Sequence, residues 1–180
     1  MARRTVAGAL ALAAIAANAQ PASAAPKRLA IGDSVMLGAR DELKEDAGFR
    51  RVDADVSRQF YAADNRVRYW KRRGVLPRVV FIHLGNNGRV LAADCDDAVR
   101  AAGSWRSVFF ATLKVPRSWR KPNNVQLRAC AKRHANAYVI GWNRYSKDHP
   151  EWFASDGFHL SPLGQDRYAA FVDRRITRVV

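Results

Sequence analysis

The sequence has 180 residues, of which 31 are Lys or Arg and 16 are Asp or Glu, for a formal net charge of +15; 48% are apolar and two are cysteine. An apolar share near half excludes a disordered or collagen-like chain, and two cysteines are too few for a disulfide framework to replace a hydrophobic core. The length fits one domain with a core of Leu, Val, Ile and aromatic residues.

Residues 1–24 read as a cleaved signal peptide: Arg3 and Arg4 precede an uncharged, alanine-rich run from Val6 to Ala17, and the small-residue site Ala22-Ser23-Ala24 follows. The alternative is an N-terminal membrane anchor, against which the run is shorter than the roughly 20 residues a spanning helix needs. Thr5-Val6-Ala7 lacks the large apolar residues usual after a twin arginine, so general secretion is the expected route to a periplasmic or extracellular location. A single domain over residues 25–180 remains, with no later stretch long and apolar enough to cross a bilayer.

Along that domain, short apolar runs alternate with longer amphipathic stretches. Leu29-Ala30-Ile31, Val52 to Val56, Val79 to Leu84, Val108 to Leu113 and Tyr138 to Trp142 are β-branched or aromatic-rich and short enough to be buried strands. Val35 to Ala47, Asp64 to Arg73, Asp94 to Ala102 and Val125 to Ala135 read as helices between them. The alternation implies a parallel sheet covered on both faces. A last helix starts with Ser161 as N-cap and Pro162 at the first helical position, and carries apolar Leu163, Ala170, Phe171 and Val172. In an oxidising compartment Cys95 and Cys130 can pair, a closure expected to stabilise the fold by roughly 3 to 4 kcal/mol in the chain-entropy model. The competing reading is a metal site, since Cys130 and His134 lie one helical turn apart, with only Cys95 and Asp96 to complete it. A disulfide, no metal and no cofactor are the expectation.

The chemistry concentrates at strand ends. The first strand runs into Gly32-Asp33-Ser34-Val35, which sets Ser34 on a tight turn at a helix start; the hydroxyl either serves as a nucleophile or merely caps the helix. Near the C-terminus, Asp156-Gly157-Phe158-His159 places a carboxylate and an imidazole three residues apart. A serine hydroxyl is a weak nucleophile until an imidazole accepts its proton, and that imidazole needs a partner on its other nitrogen. Ser57, in Asp55-Val56-Ser57-Arg58-Gln59, and Asn87, in His83-Leu84-Gly85-Asn86-Asn87-Gly88, follow two further strands and are candidate oxyanion donors together with the Ser34 backbone N–H.

Gly32-Asp33-Ser34, Gly85-Asn86-Asn87 and Asp156-x-x-His159, in that order, resemble the SGNH/GDSL hydrolase superfamily. Within it the sequence is most similar to the extracytoplasmic catalytic domain of peptidoglycan O-acetyltransferases. The likeness is carried by Gly32 to Leu37, Val52-Asp53-Ala54 with Arg58-Gln59, His83-Leu84-Gly85-x-Asn87-Gly88, Val115-Pro116-Arg117-x-Trp119 with Asn124, and Trp152-Phe153-Ala154-x-Asp156-Gly157-x-His159-Leu160. The resemblance implies a flavodoxin-like three-layer α/β/α sandwich around a five-stranded parallel sheet. It implies Ser34 as nucleophile, His159 as base, Asp156 as its orienting carboxylate and Asn87 as the oxyanion asparagine. The family's second block usually offers a glycine where this sequence has Ser57; the backbone N–H survives, while the side chain crowds the pocket and favours a small acyl group. Acylated carbohydrate or cell-wall glycan is the implied substrate. A membrane protein donating acyl groups is an implied partner, since the related enzymes are commonly fused to a multi-pass membrane domain that supplies them.

Resolution of an acyl-serine by water would make the protein an esterase, and by a carbohydrate hydroxyl an O-acyltransferase. A non-catalytic polysaccharide-binding module on the same fold is the alternative. Trp119 and Asn124 are candidate substrate contacts, with Asn123 and Asn124 alternatively forming a turn; Trp105, Trp142 and Trp152 read as core or as sugar-stacking residues. His83 reads as a core or hydrogen-bonded histidine. The dense cluster Arg66, Arg68, Lys71, Arg72 and Arg73, interleaved with Tyr69 and Trp70, is either a solvated basic face or a contact for anionic envelope polymers or lipid headgroups; an exported protein rarely meets nucleic acid, and none is expected as a partner.

Overall fold

A computed structural model describes residues 28–180; the proposed signal peptide lies outside the described residues. Five strands, β1 (Arg28–Gly32), β2 (Phe49–Ala54), β3 (Val79–His83), β4 (Ser107–Ala111) and β5 (Ala137–Ile140), form one sheet in the order β2-β1-β3-β4-β5. Every pairing is parallel. Parallel neighbours require crossovers, and these are supplied by helices α1 (Ser34–Gly38), α2 (Arg40–Glu45), α3 (Ala63–Arg72), α4 (Ala92–Ala102) and α5 (Arg120–Arg133). The short α6 (Trp142–Tyr145) and the long α7 (Pro162–Thr177) complete the chain.

Successive strand residues point to opposite faces, so each strand feeds two cores. Leu29, Ile31, Val80, Ile82, Val108 and Phe110 pack on one side with Val67, Val99 and Leu127 of α3, α4 and α5. Ala30, Phe81 and Phe109 pack on the other with Met36, Leu43, Tyr168 and Phe171 of α1, α2 and α7. The result is the expected three-layer α/β/α sandwich. Cys95 of α4 and Cys130 of α5 form a disulfide. His134 Nε2 lies 2.8 Å from an Asp96 oxygen that also accepts from Arg133, so the alternative metal cluster has no free thiolate and already holds a cation.

Four local readings shift. The stretch Val35–Ala47 is two helices, because the chain breaks at Ala39 (φ −101°, ψ 26°). β2 begins at Phe49 and ends before Val56, which lies exposed in the following loop. Trp142 opens α6 instead of ending β5. Ser161 does cap α7, accepting from Gly164 N at 3.2 Å, but the buried face is Tyr168, Ala169, Phe171, Val172 and Ile176, while Leu163 is exposed.

Candidate active site

All strands being parallel, their C-terminal ends share one edge, where open α/β sheets bind ligands. Ser34 enters that edge from β1. Gly32 makes the turn possible: a Cβ there would stand 2.4 Å from the Met36 Cβ. Asp33, not Ser34, is the N-cap; its Oδ1 accepts from Val35 N at 3.1 Å. The serine hydroxyl is therefore free of capping, and it lies 2.8 Å from His159 Nε2.

His159 arrives from a loop held at both ends. Phe153 and Leu160 form an antiparallel bridge, Ala154 N donates to His159 O at 2.8 Å, and Ser161 N donates to Trp152 O at 3.0 Å. α7 begins tight against this hairpin: any Cβ at Gly164 would collide with the Trp152 carbonyl. Asp156 organises the loop tip, its Oδ1 accepting from Phe158 N (3.1 Å) and His159 N (3.0 Å) and its Oδ2 lying 2.5 Å from His159 Nδ1. Partial burial pushes the Asp156 pKa up, but the hydrogen bonds from the His159 ring and the two backbone N–H groups, with the charge on His159, hold it below the usual carboxylate value. A serine, an imidazole and an ionised carboxylate thus stand in one hydrogen-bonded line.

The candidate oxyanion residues occupy adjacent loops at the same edge. Ser57 has φ 58°, the one left-handed non-glycine among the described residues, so serine here adopts the conformation that a glycine would adopt freely. The Ser57 loop and the Asn87 loop are tied together: Gln59 Nε2 donates to Asn87 O at 2.9 Å, and Asn87 Nδ2 reaches Arg58 O at 3.5 Å. Arg58, whose position in the motif gave no role, bonds the carbonyls of Gly32 and Asp53 and pairs with the Asp53 carboxylate at 3.0 Å, joining the Ser34 turn to the Ser57 loop.

Beneath Ser34 lies a buried polar layer. Asp33 is fully buried, and its carboxylate accepts from Asn86 Nδ2 at 3.2 and 3.0 Å. Burial raises its pKa to about 6, against the lowering effect of the Asn86 and Val35 hydrogen bonds and the His159 charge. His83 is a core histidine as expected: Nδ1 lies 2.7 Å from the Tyr168 hydroxyl, and burial lowers its pKa to about 3.

The two residues expected to contact substrate differ in setting. Asn124 is buried in α5, with Oδ1 accepting from Leu113 N at 2.7 Å and Nδ2 donating to Leu113 O at 3.0 Å, so it fixes the β4–α5 loop. Asn123 does the same for the Asn87 loop, bonding Val90 N, Gly85 O and Gly88 O. Neither forms a turn. Trp119 sits half-buried at the start of α5 with its Nε1 unpartnered, whereas Trp142 and Trp152 are core, stacked with centroids 6.1 Å apart.

The fold is shared with solved hydrolases of this class, among them a candidate lipolytic protein of the G-D-S-L family from Desulfitobacterium hafniense, which superimposes with a TM-score of 0.66 at 18% identity over 82% of this chain and 98% of that one. No protein-family model matches the chain, but the curated proteins it is similar to include peptidoglycan O-acetyltransferases. It is 31% identical over 153 residues to a candidate peptidoglycan O-acetyltransferase of Bacillus subtilis, covering 85% of this chain and 24% of that one. The C-terminal catalytic domain of Streptococcus pneumoniae peptidoglycan O-acetyltransferase A, solved with a methylsulfonyl adduct, superimposes with a TM-score of 0.75 at 22% identity, over 84% of this chain and 93% of that domain. A family 3 carbohydrate esterase of Clostridium thermocellum gives 0.68 at 18% identity, over 86% and 98%. The chain spans about a quarter of the length of the curated relatives it matches.

Proposed function

We propose that the protein is a serine O-acyl esterase or O-acetyltransferase that acts on acetyl esters of cell-envelope carbohydrate, outside the cytoplasm, through an acyl-serine. The observation that carries this reading is the continuous line Asp156 Oδ2, His159 Nδ1, His159 Nε2, Ser34 Oγ, with contacts of 2.5 and 2.8 Å and Asp33 doing the capping that would otherwise occupy the serine. Ser34 Oγ attacks the acetyl carbonyl as its proton passes to His159 Nε2. The backbone N–H groups of Ser34 and Ser57 and the Asn87 amide meet the negative charge that develops on the carbonyl oxygen. Collapse breaks the ester bond, and the departing alcohol oxygen takes the proton from His159. Water or a carbohydrate hydroxyl, deprotonated by the same imidazole, then attacks the acetyl-serine. Acetate or an acetylated sugar leaves, and Ser34 regains its proton.

The peptidoglycan O-acetyltransferase relatives support a glycan acceptor and an extracytoplasmic location. The exposed setting of Asp156 and His159 suits a polymer approaching from solvent. In the transferase reading a membrane protein presents the acetyl group. A binding module on this fold would have no need of the aligned hydroxyl and imidazole. The test is turnover of a short-chain chromogenic acetyl ester with and without a chitooligosaccharide, products being read by mass spectrometry. Acetylated sugar identifies a transferase and acetate alone an esterase, whereas ligand binding without turnover by the full chain contradicts both.

A further inference from the structure

The opposite edge of the sheet, where the strands begin, has a different surface chemistry. In the loops that join helix ends to strand starts there, Asp46 is the sole carboxylate among the described residues, while exposed Arg73 and Arg78 and buried Arg106 are present. The edge that holds Ser34 is mixed, with exposed Asp55, Asp148, Glu151 and Asp156 beside exposed Arg89, Arg117 and Lys147.

Basic residues at helix C-termini complement the helix dipole, which accounts for Lys71 and Arg72 of α3 and Lys132 and Arg133 of α5. That explanation does not reach Arg50 and Arg51, which lie on an edge strand, or Arg78, which precedes β3. None of the three has a carboxylate partner among the described residues. Arg50 and Arg51 line a cleft of about 250 Å³ whose other walls include Val75 and Pro77, and no carboxylate lines it. Arg51 stacks over the Trp70 ring at 5.0 Å, which holds its guanidinium in place without neutralising it.

The apolar members of this face are held just as firmly. Buried Arg106 donates to Ala102 O (2.7 Å), Pro77 O (3.1 Å) and Leu76 O (3.4 Å), locking the α3–β3 loop to the α4–β4 loop. Its guanidinium also lies 3.7 Å from the Trp105 ring centroid. Val75 and Trp105, at the tips of these locked loops, are 41% and 56% exposed. Arg51, held over Trp70, and Arg50 and Arg78, unpaired among the described residues, share this sheet edge with an exposed tryptophan and valine, a combination that matches a bilayer interface, where indole sits at headgroup level and guanidinium meets phosphate. A soluble polyanion would use the arginines but has no use for Val75 and Trp105.

We propose that this edge docks on an anionic lipid bilayer, with headgroup phosphate at Arg50 and Arg51 and with Trp105 and Val75 entering the interface, so that the Ser34 edge faces away from the membrane. The proposal is independent of the catalytic reading. The test is partitioning of the full chain onto vesicles of equal parts phosphatidylglycerol and phosphatidylcholine, against pure phosphatidylcholine, with brominated lipid as a tryptophan quencher. Binding is expected only with the anionic lipid, falling about fivefold for each of Arg50→Gln and Arg51→Gln, the change that about 1 kcal/mol per surface-bound arginine represents. Trp105→Ser should weaken binding and reduce the quenching. Arg73→Gln with Arg78→Gln is the second pair, and unchanged thermal unfolding midpoints show that the variants fold. Equal binding to both vesicle types overturns the proposal. So does arginine-dependent binding to soluble polyphosphate that is indifferent to Trp105 and absent on vesicles, which would assign the face to a polymer.

Discussion

Ser34 and His159 meet in one hydrogen bond but are supported in opposite ways. Ser34 stands on the end of a fully buried central strand, over a carboxylate with no access to water. His159 stands on a surface hairpin, 39% exposed, beside a carboxylate 41% exposed. The two aspartates respond accordingly: burial lifts Asp33 to about 6, while the hydrogen bonds around Asp156 hold it low despite its own partial burial. The position of Ser34 is thus set by packing and that of His159 by local hydrogen bonding. Damage on the His159 side should therefore appear in activity with little loss of stability, and damage beneath Ser34 in stability as well.

The largest effect is expected for Asp156→Asn. It keeps the shape of the loop but removes the charge that fixes the imidazole tautomer, so kcat on an acetyl ester should fall about 10⁴-fold. Because the site is exposed, the melting temperature should move by only a degree or two, measured by calorimetry on the same sample. A large loss of stability with activity retained would invert the comparison.

Asp33 sharpens the other half. Its folded pKa of about 6 lies above the ordinary 3.8, so the native state binds the extra proton. Stability from this group is complete below about pH 4, falls as pH rises towards 6 and is flat above. The difference corresponds to roughly 2 to 3 kcal/mol for a group this deeply buried. Denaturant titrations at a series of pH values should show this decline in the wild type and lose it in Asp33→Asn. An identical pH profile in the two proteins would remove Asp33 as its source.

The smallest effect belongs to the oxyanion loop. At φ 58° Ser57 bears a left-handed cost of about 1 to 2 kcal/mol, partly offset by the greater unfolded freedom of glycine. Ser57→Gly should therefore gain about 0.5 kcal/mol and leave ester turnover within a few-fold. Ser57→Val, β-branched in the same conformation, should lose stability instead.

Much of this arrangement could be read in the sequence because its determinants are local. Gly32-Asp33-Ser34 and Asp156-x-x-His159 are short motifs whose N-cap and Asp156–His159 hydrogen bonds run within three residues, and β1, β3 and β4 are apolar on both faces, as a central parallel strand must be. β2 misled for the converse reason. As an edge strand it tolerates Arg50, Arg51 and Asp53, so the apolar pattern of the sequence lies nearer Val56 than the strand itself does. The break at Ala39 was hidden because α1 and α2 both turn apolar residues, Met36 and Leu43, to the same core. The buried amides of Asn123 and Asn124 were illegible. Their partners are backbone groups 11 to 38 residues away, which no spacing along a helix reports. Arg58 was invisible in the same way, since its bond to Gly32 O spans 26 residues.

The central claim is that the Ser34 hydroxyl takes up the acyl group. Its most direct test is intact-protein mass spectrometry after rapid acid quenching of a reaction with an acetyl ester, followed by peptide mapping. The account predicts one added acetyl group, located on Ser34, in the wild type and none in Ser34→Ala. An acetyl group on another residue, or ester turnover undiminished in Ser34→Ala, would contradict it.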